Sequence, residues 1–291
     1  TSNVEQSAGV MFGQNTANTL KSYFVLSCSG CQDCFGCVNL RSKSYHFFNQ
    51  PLSKEEYTKR VNEIRGSYSK FNEFREKFEN LALSFPRREN NNFKTIASTG
   101  EYLFESKNMQ NCFEVTRGED CKYLFSNKFA KDSYDLIGFG YWAELLLDCV
   151  AVGDSQRVIG SYAVDGKAHD IEYSFALNAS EYCIGCDGLK HAKYSILNKK
   201  YSEEEYKIIR EKIVSELKQK GLYGLFMPPS LAPFAYNETV GQDNMPLTRE
   251  EALEQGFRWE DDIPRTKDKE TLLPENIPDH IKDVSDNITN E

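Results

Sequence analysis

Residues 34–57 read CFGCVNLRSKSYHFFNQPLSKEEY, and residues 183–206 read CIGCDGLKHAKYSILNKKYSEEEY. At an offset of 149, Cys34, Gly36, Cys37, Leu40 and Tyr45 fall on Cys183, Gly185, Cys186, Leu189 and Tyr194 without a gap. Asn49, Ser53, Glu55, Glu56 and Tyr57 likewise fall on Asn198, Ser202, Glu204, Glu205 and Tyr206. A spaced self-match of this length is the mark of a repeat architecture.

Outward from the repeat, the chain shows short apolar bursts separated by Asn, Asp, Ser, Gly and Lys. Tyr102-Leu103-Phe104, Cys112-Phe113, Tyr123-Leu124-Phe125, Cys149-Val150 and Val158-Ile159 are typical. Several open with a small polar residue followed by Cys or Ser, as in Asn111-Cys112, Asp120-Cys121, Asp132-Ser133 and Asp148-Cys149. Asn and Asp supply corner chemistry, and Cys is a small residue that buries readily. Strands this short bury no face alone, but stacked turns of chain make a continuous interior. The reading is mainly β with helical caps: an irregular parallel β-solenoid, β-helix-like, with some bursts spaced by roughly the 20 residues of a common repeat turn. A β-sandwich is the competing arrangement, since its turn spacing overlaps.

Each copy of the repeat runs into a helix. Ser53-Lys54-Glu55-Glu56 and Ser202-Glu203-Glu204-Glu205 have the capping-box pattern, and Leu52/Tyr57 and Tyr201/Tyr206 make the hydrophobic staple. Gly66 breaks the first helix, and a second is predicted over Lys70–Leu83 with Phe71, Phe74, Phe78 and Leu81 on one face. The helix after Ser202 stops at Gly221. The organisation is then 1–52, a first solenoid segment; 53–85, a helical insertion; 86–201, a second solenoid segment; and 202–221, a capping helix. Residues 222–259 make a Pro-rich extended arm with a short helix after Thr248, and 260–291 an acidic linker or tail. The helices are expected to cover open sheet edges.

Of the net charge of −9 over 291 residues, −6 lies in Glu260–Glu291, leaving a nearly balanced body. Nucleic-acid binding wants clustered positive charge and is not supported. No apolar run approaches the roughly 20 residues of a membrane span. No signal peptide is read at TSNVEQSAGVMFGQ, so the nine cysteines are expected to be reduced thiols in a cytoplasmic protein.

The sharpest chemical candidate is Cys28-x-x-Cys31-x-x-Cys34-x-x-Cys37. Four thiols at that spacing suit zinc or an iron–sulfur cluster, or are simply buried structural thiols. The second copy has Leu177 and Ser180 where the first has Cys28 and Cys31. Leucine can replace a buried cysteine but not a ligand, which favours the structural alternative. The four histidines lack metal-helix spacing, His169 and His280 reading as loop residues, and Gly138-Phe139-Gly140 lacks the rest of a phosphate loop.

The two repeat strings, with SLAPFAYNETVGQDNMPLTREEALEQGFRW downstream, resemble an uncharacterised family of Cys-rich β-solenoid repeat proteins common in candidate-phyla-radiation bacteria. Members often end in a zinc-ribbon-like module, for which this sequence has no counterpart. Ser133 and Ser180 stand where the family has cysteine. The resemblance implies a fold, not an activity.

Three functions are compatible with these residues. The first is a non-enzymatic scaffold or interaction protein, partnered by other proteins, by itself or within a larger assembly, with no catalytic or cofactor site. The second is an enzyme acting on carbohydrate or another polymer along a solenoid groove, which needs carboxylates and a basic residue in one cleft. The third is a metal-binding or redox-linked protein using Cys28, Cys31, Cys34 and Cys37, with zinc the candidate metal.

Overall fold

The computed structural model describes residues 2–264 and 271–290. The chain forms two compact units: one from residues before 88 together with those after 263, the other from Arg88–Ile263. Both are strand-rich, built on parallel sheets with a few helices.

The first unit orders β1 (Ser2–Glu5), β2 (Met11–Ala17), β3 (Tyr23–Leu26), β4 (Gln32–Val38), β5 (Ser44–Phe47) and β6 (Gln50–Pro51) in one sheet, followed by α1 (Lys54–Ile64) and α2 (Tyr68–Leu83). The second begins with β7 (Gly100–Phe104), β8 (Cys112–Thr116), β9 (Lys122–Lys128), β10 (Ala130–Lys131) and β11 (Tyr134–Phe139). It continues through β12 (Ala143–Val152), β13 (Gln156–Ile159), β14 (His169–Glu172), β15 (Glu181–Ile184), β16 (Lys193–Ile196) and β17 (Lys199–Lys200). Then come α3 (Glu203–Gln219) and two short helices, α4 (Gly241–Asn244) and α5 (Arg249–Glu254).

Pairing is parallel and follows chain order, each position meeting one 12 residues on: Met11 with Tyr23, Tyr23 with Phe35, Glu144 with Gln156, His169 with Glu181. We call each such interval a rung. Two rungs carry one extra residue, Tyr134 meeting Leu147 and Gln156 meeting His169, and one is a residue short, Phe93 meeting Phe104 and Ile96 meeting Lys107. The spacing of roughly 20 residues read from the sequence is therefore corrected to 12.

The rung is subdivided in threes. From Asn3 to Phe48 every third residue has a positive φ, between +44° and +65°. The residue after each is the one that turns inward: Gly13, Thr16, Thr19, Ser22, Val25, Cys28, Cys31, Cys34 and Cys37 are all buried. The second unit repeats the pattern over Tyr102–Asp135, Trp142–Ala163 and Lys167–Leu197, the breaks falling at the two extra residues. The left-handed region costs an L-residue roughly 1–2 kcal/mol, and more if branched at Cβ. Among the described residues, no Val, Ile or Thr occupies it, whereas Asn and Asp do so often. The Asn-Cys and Asp-Cys pairs of the sequence are this corner followed by its inward neighbour.

Inward Ser, Thr and Cys complete the backbone's hydrogen bonding. Thr16, Ser22, Cys34, Ser133, Ser174 and Cys183 each donate to the carbonyl two residues earlier. Several also accept from the inward N–H one rung on: Cys34 N–H to Ser22 Oγ, Gly118 N–H to Ser106 Oγ, Leu124 N–H to Cys112 Sγ and Cys186 N–H to Ser174 Oγ. A small side chain with a γ donor is thus favoured inside, which accounts for the cysteine content better than apolar burial alone.

The helices pack on outward side chains of the last strands. Phe71, Phe74 and Phe78 of α2 meet Phe24 and Phe35, and Tyr206, Ile209 and Ile213 of α3 meet Ile184 and Ile196. The sheet edges expected to lie under helices are instead taken by the two-residue antiparallel strands β6 and β17. Pro51 and Lys199-Lys200 suit that place, because proline offers no donor and lysine discourages further pairing. Ser202 and Thr248 form complete capping boxes; at Ser53 only the hydroxyl half forms, since Glu56 turns to Arg60 at 2.9 Å.

Part of the acidic segment read as a linker makes specific contacts. Asp279 accepts from the Ser67 hydroxyl and the Ser69 N–H at the start of α2, while Ile281 N–H donates to Gly66 O. His280 lies against Gly66, whose hypothetical Cβ would come within 2.2 Å of its Nε2.

Candidate functional site

Cys28, Cys31, Cys34 and Cys37 are the inward residues of four successive triplets, so they occupy one full rung rather than one face of a strand. Each is at most 1% exposed. Their sulfurs donate to backbone: Cys28 to Leu26 O, Cys31 to Ser29 O, Cys34 to Gln32 O and Cys37 to Phe35 O, at 3.4–3.5 Å. Interaction with the Cys31 thiol, joined at Cys34 by the Cys37 thiol, and then burial push the Cys28 and Cys34 thiols up from the ordinary range. All nine cysteines are free and buried. Among the described residues, no group of three or more His, Cys, Asp or Glu is arranged to hold a metal ion. Leu177 and Ser180, the counterparts of Cys28 and Cys31, are buried as inward residues too.

The second unit also has a cleft of about 1070 Å³ between α3 and the outward side of β13–β16. Triplet spacing assembles it, because residues one rung apart stack. Arg157 and Asp170 are such a pair, bonded through Nε–Oδ1 at 2.8 Å and Nη2–Oδ2 at 2.7 Å. Tyr182 and Tyr194 continue the column as stacked rings 5.2 Å apart. Beside them Glu172, its side chain 4% exposed, receives Arg210 of α3 through Nε at 2.7 Å and Nη2 at 2.9 Å. The Tyr223 hydroxyl donates to the same carboxylate at 2.7 Å. The adjoining arm is held by Gly224 N–H to Tyr173 Oη and Phe226 N–H to Asp148 Oδ2, both 2.7 Å.

No protein-family model matches the chain, and no curated protein matches it. The cleft is therefore judged on its chemistry.

Both central carboxylates are committed to arginines. Arg157 holds the Asp170 carboxyl below the usual carboxylate range, opposite to what a general acid requires. Glu172, buried while Arg210 stays partly open to solvent, ties α3 and the arm to β14. Burial pushes the Tyr206 and Tyr223 hydroxyls up.

Arg157, Asp170, Glu172 and Arg210 escaped the sequence reading because they are far apart in the chain and fit neither helical nor strand periodicity. The 13-residue interval would have aligned Arg157 with Asp170, whereas Arg210 reaches Glu172 from α3. The histidines do not converge. His46 Nδ1 lies 2.8 Å from Ser44 O, and His191 is exposed. His169 opens β14, with Nδ1 2.8 Å from Asp170 Oδ2 and Nε2 3.7 Å from Glu181 Oε2. His169 and His280 thus have specific partners, where loop positions were expected. Gly138 and Gly140 flank the first extra residue at the end of β11.

Proposed function

We propose that the chain is a non-enzymatic β-solenoid, each 12-residue rung a four-sided turn, acting as a scaffold or interaction protein. The observation that carries this reading is the parallel pairing in chain order within each unit, with one inward residue in three. Such a stack has a filled interior and long regular outer faces, which is the geometry scaffolds use. In this reading the cysteine rung is core, free of zinc, and its thiols stay reduced in the cytoplasm. Among the described residues no helix is long and apolar enough to cross a membrane.

The polymer-acting alternative draws on Asp170, Glu172, Arg157 and Arg210 sharing one cleft. Glycoside hydrolysis needs one carboxyl as proton donor and one as base or nucleophile; here both are bidentate acceptors. The test is a polysaccharide panel assayed for new reducing ends or unsaturated products. The scaffold reading expects none, and turnover abolished by Asp170→Asn would overturn it.

A further inference from the structure

The first rung of 13 places its extra residue between Phe139, which meets Asn127, and Ala143, which meets Ala130. Phe129 there faces two aromatic residues instead of one: Trp142, ring on ring at 4.7 Å and 24° from parallel, and Tyr141 at 6.3 Å. The Arg117 guanidinium, one rung earlier, lies 5.4 Å from the centre of the Phe129 ring. Trp142 thus ends a stack, and although Phe129 covers one face of it, 68% of the residue stays exposed. Among the described residues, no ring or cation lies against its other face. An inserted residue that re-aims a side chain is a device found next to functional sites.

Phe129 and Trp142 form one bank of a trough of about 420 Å³ whose floor is small, Ala130 and Ala143, each 1% exposed. The other bank is a polar column in which Lys131 meets Glu144, and Glu144 meets Gln156. These three side chains make no hydrogen bond or ion pair among the described residues. Arg117 and Glu119 complete the lining, already paired with Glu105 at 2.9 Å and Lys107 at 3.5 Å. Two cations and two carboxylates therefore line the trough, and their formal charges cancel.

We propose that this trough binds a neutral sugar, with one pyranose ring laid on the open face of Trp142 and its hydroxyls on Glu144, Gln156 and Lys131. Three features select this class. The face of an indole is electron-rich and attracts the C–H groups on the flat side of a pyranose. The polar column offers carboxylate and amide acceptors beside ammonium and amide donors, which suits hydroxyls that both give and accept hydrogen bonds. The cancelled charge leaves no surplus cation for a phosphate, which disfavours a nucleotide even though a base would also stack on Trp142. The volume falls within the ~300–1,000 Å³ of small-molecule sites. The trough is separate from the Glu172 cleft, and holding a sugar there requires no proton transfer. The proposal rests on the stacked rungs of the reading above, since stacking aligns the two banks, and it names a partner class for an interaction protein.

The test is calorimetric titration of the full chain with cellopentaose, xylopentaose and mannopentaose, and with adenosine monophosphate as the stacking control. At least one sugar is expected to bind saturably with a Kd of roughly 0.1–5 mM. Trp142→Ala should weaken that binding at least about tenfold with an unchanged far-UV spectrum, and Trp142→Phe should recover part of it. If the alanine variant does not fold, the wild type decides. The chain has two tryptophans, so the bound sugar should protect Trp142 from N-bromosuccinimide oxidation while Trp259 serves as the reference, both read by peptide mass. No saturable binding of any of the three sugars up to about 10 mM, an affinity indifferent to Trp142→Ala, equal oxidation with and without sugar, or tighter binding of adenosine monophosphate overturns the proposal. A strand-rich protein that binds no sugar defeats the site alone, whereas a spectrum without strand signal defeats the solenoid reading beneath it.

Discussion

Replacing Ser174 with alanine isolates the hydrogen bonding of the interior. The residue is 1% exposed; its Oγ donates to Glu172 O at 2.9 Å and accepts from Cys186 N–H at 3.1 Å. Glu172 O keeps a second donor, Gly185 N–H at 3.0 Å, so it is not left empty. Cys186 N–H loses its hydroxyl acceptor, and a buried donor without a partner costs ~1–3 kcal/mol. A loss of about 2 kcal/mol is expected for Ser174→Ala. Ser174→Cys should lose less than ~1 kcal/mol, because sulfur already serves in this way where Asn198 N–H meets Cys186 Sγ at 3.4 Å. Urea unfolding followed by far-UV circular dichroism gives the total. Stacked repeats can unfold in parts, so hydrogen exchange at the Cys186 amide should be read alongside. An alanine variant with unchanged stability and unchanged Cys186 exchange would refute the reasoning.

Ala163 has φ +56°, so Ala163→Gly should raise stability by about 0.5–1 kcal/mol, the reverse of its usual effect, while Ala163→Val should lower it by more than ~1 kcal/mol. Thermal melts of both variants check the sign. Burial pushes the thiols of Cys121 and Cys149 up, to about 12 and about 11. Their contribution is therefore complete below the unfolded thiol's pKa of ~8.5 and is lost as pH rises through the folded values. Urea midpoints should fall above about pH 9, less steeply in Cys149→Ser; an equal slope would count against burial as the cause. Asp279→Ala removes acceptors from Ser67 and Ser69, and should loosen the start of α2. Faster amide exchange confined to the first turn of α2 is the expected signature.

Much of the local structure was legible. Ser202 with Glu205, Gly221, and the Phe71/Phe74/Phe78 stripe specified helices through caps and 3.6-residue periodicity. The strand-rich character was legible in the bursts. The rung was not, for a physical reason: a chain that turns inward every third residue matches neither the strand period of two nor the helix period. Its inward positions also accept Thr19, Ser22 and Ser174 as readily as Val25, which dilutes any hydrophobic signal, and the two extra residues break the count. The even spacing of Cys28, Cys31, Cys34 and Cys37, read as a possible ligand set, is that period in its plainest form. The cleft was illegible because Glu172 and Arg210 are brought together only by α3 folding back on β14.

The triplet also governs how the chain can change length. Excising residues 143–154 would join Trp142 to Ser155, a left-handed corner to an inward residue as before, and every later side chain would keep its facing. Excising 143–153 would join one corner residue to another, Trp142 to Asp154, and the following side chains would lose their assigned sides until a compensating residue was met. The two natural rungs of 13 and the one of 11 show that the fold absorbs a single-residue slip at a corner. Gain or loss in this lineage is therefore expected to proceed in whole twelves, with isolated single residues tolerated only where the backbone bends.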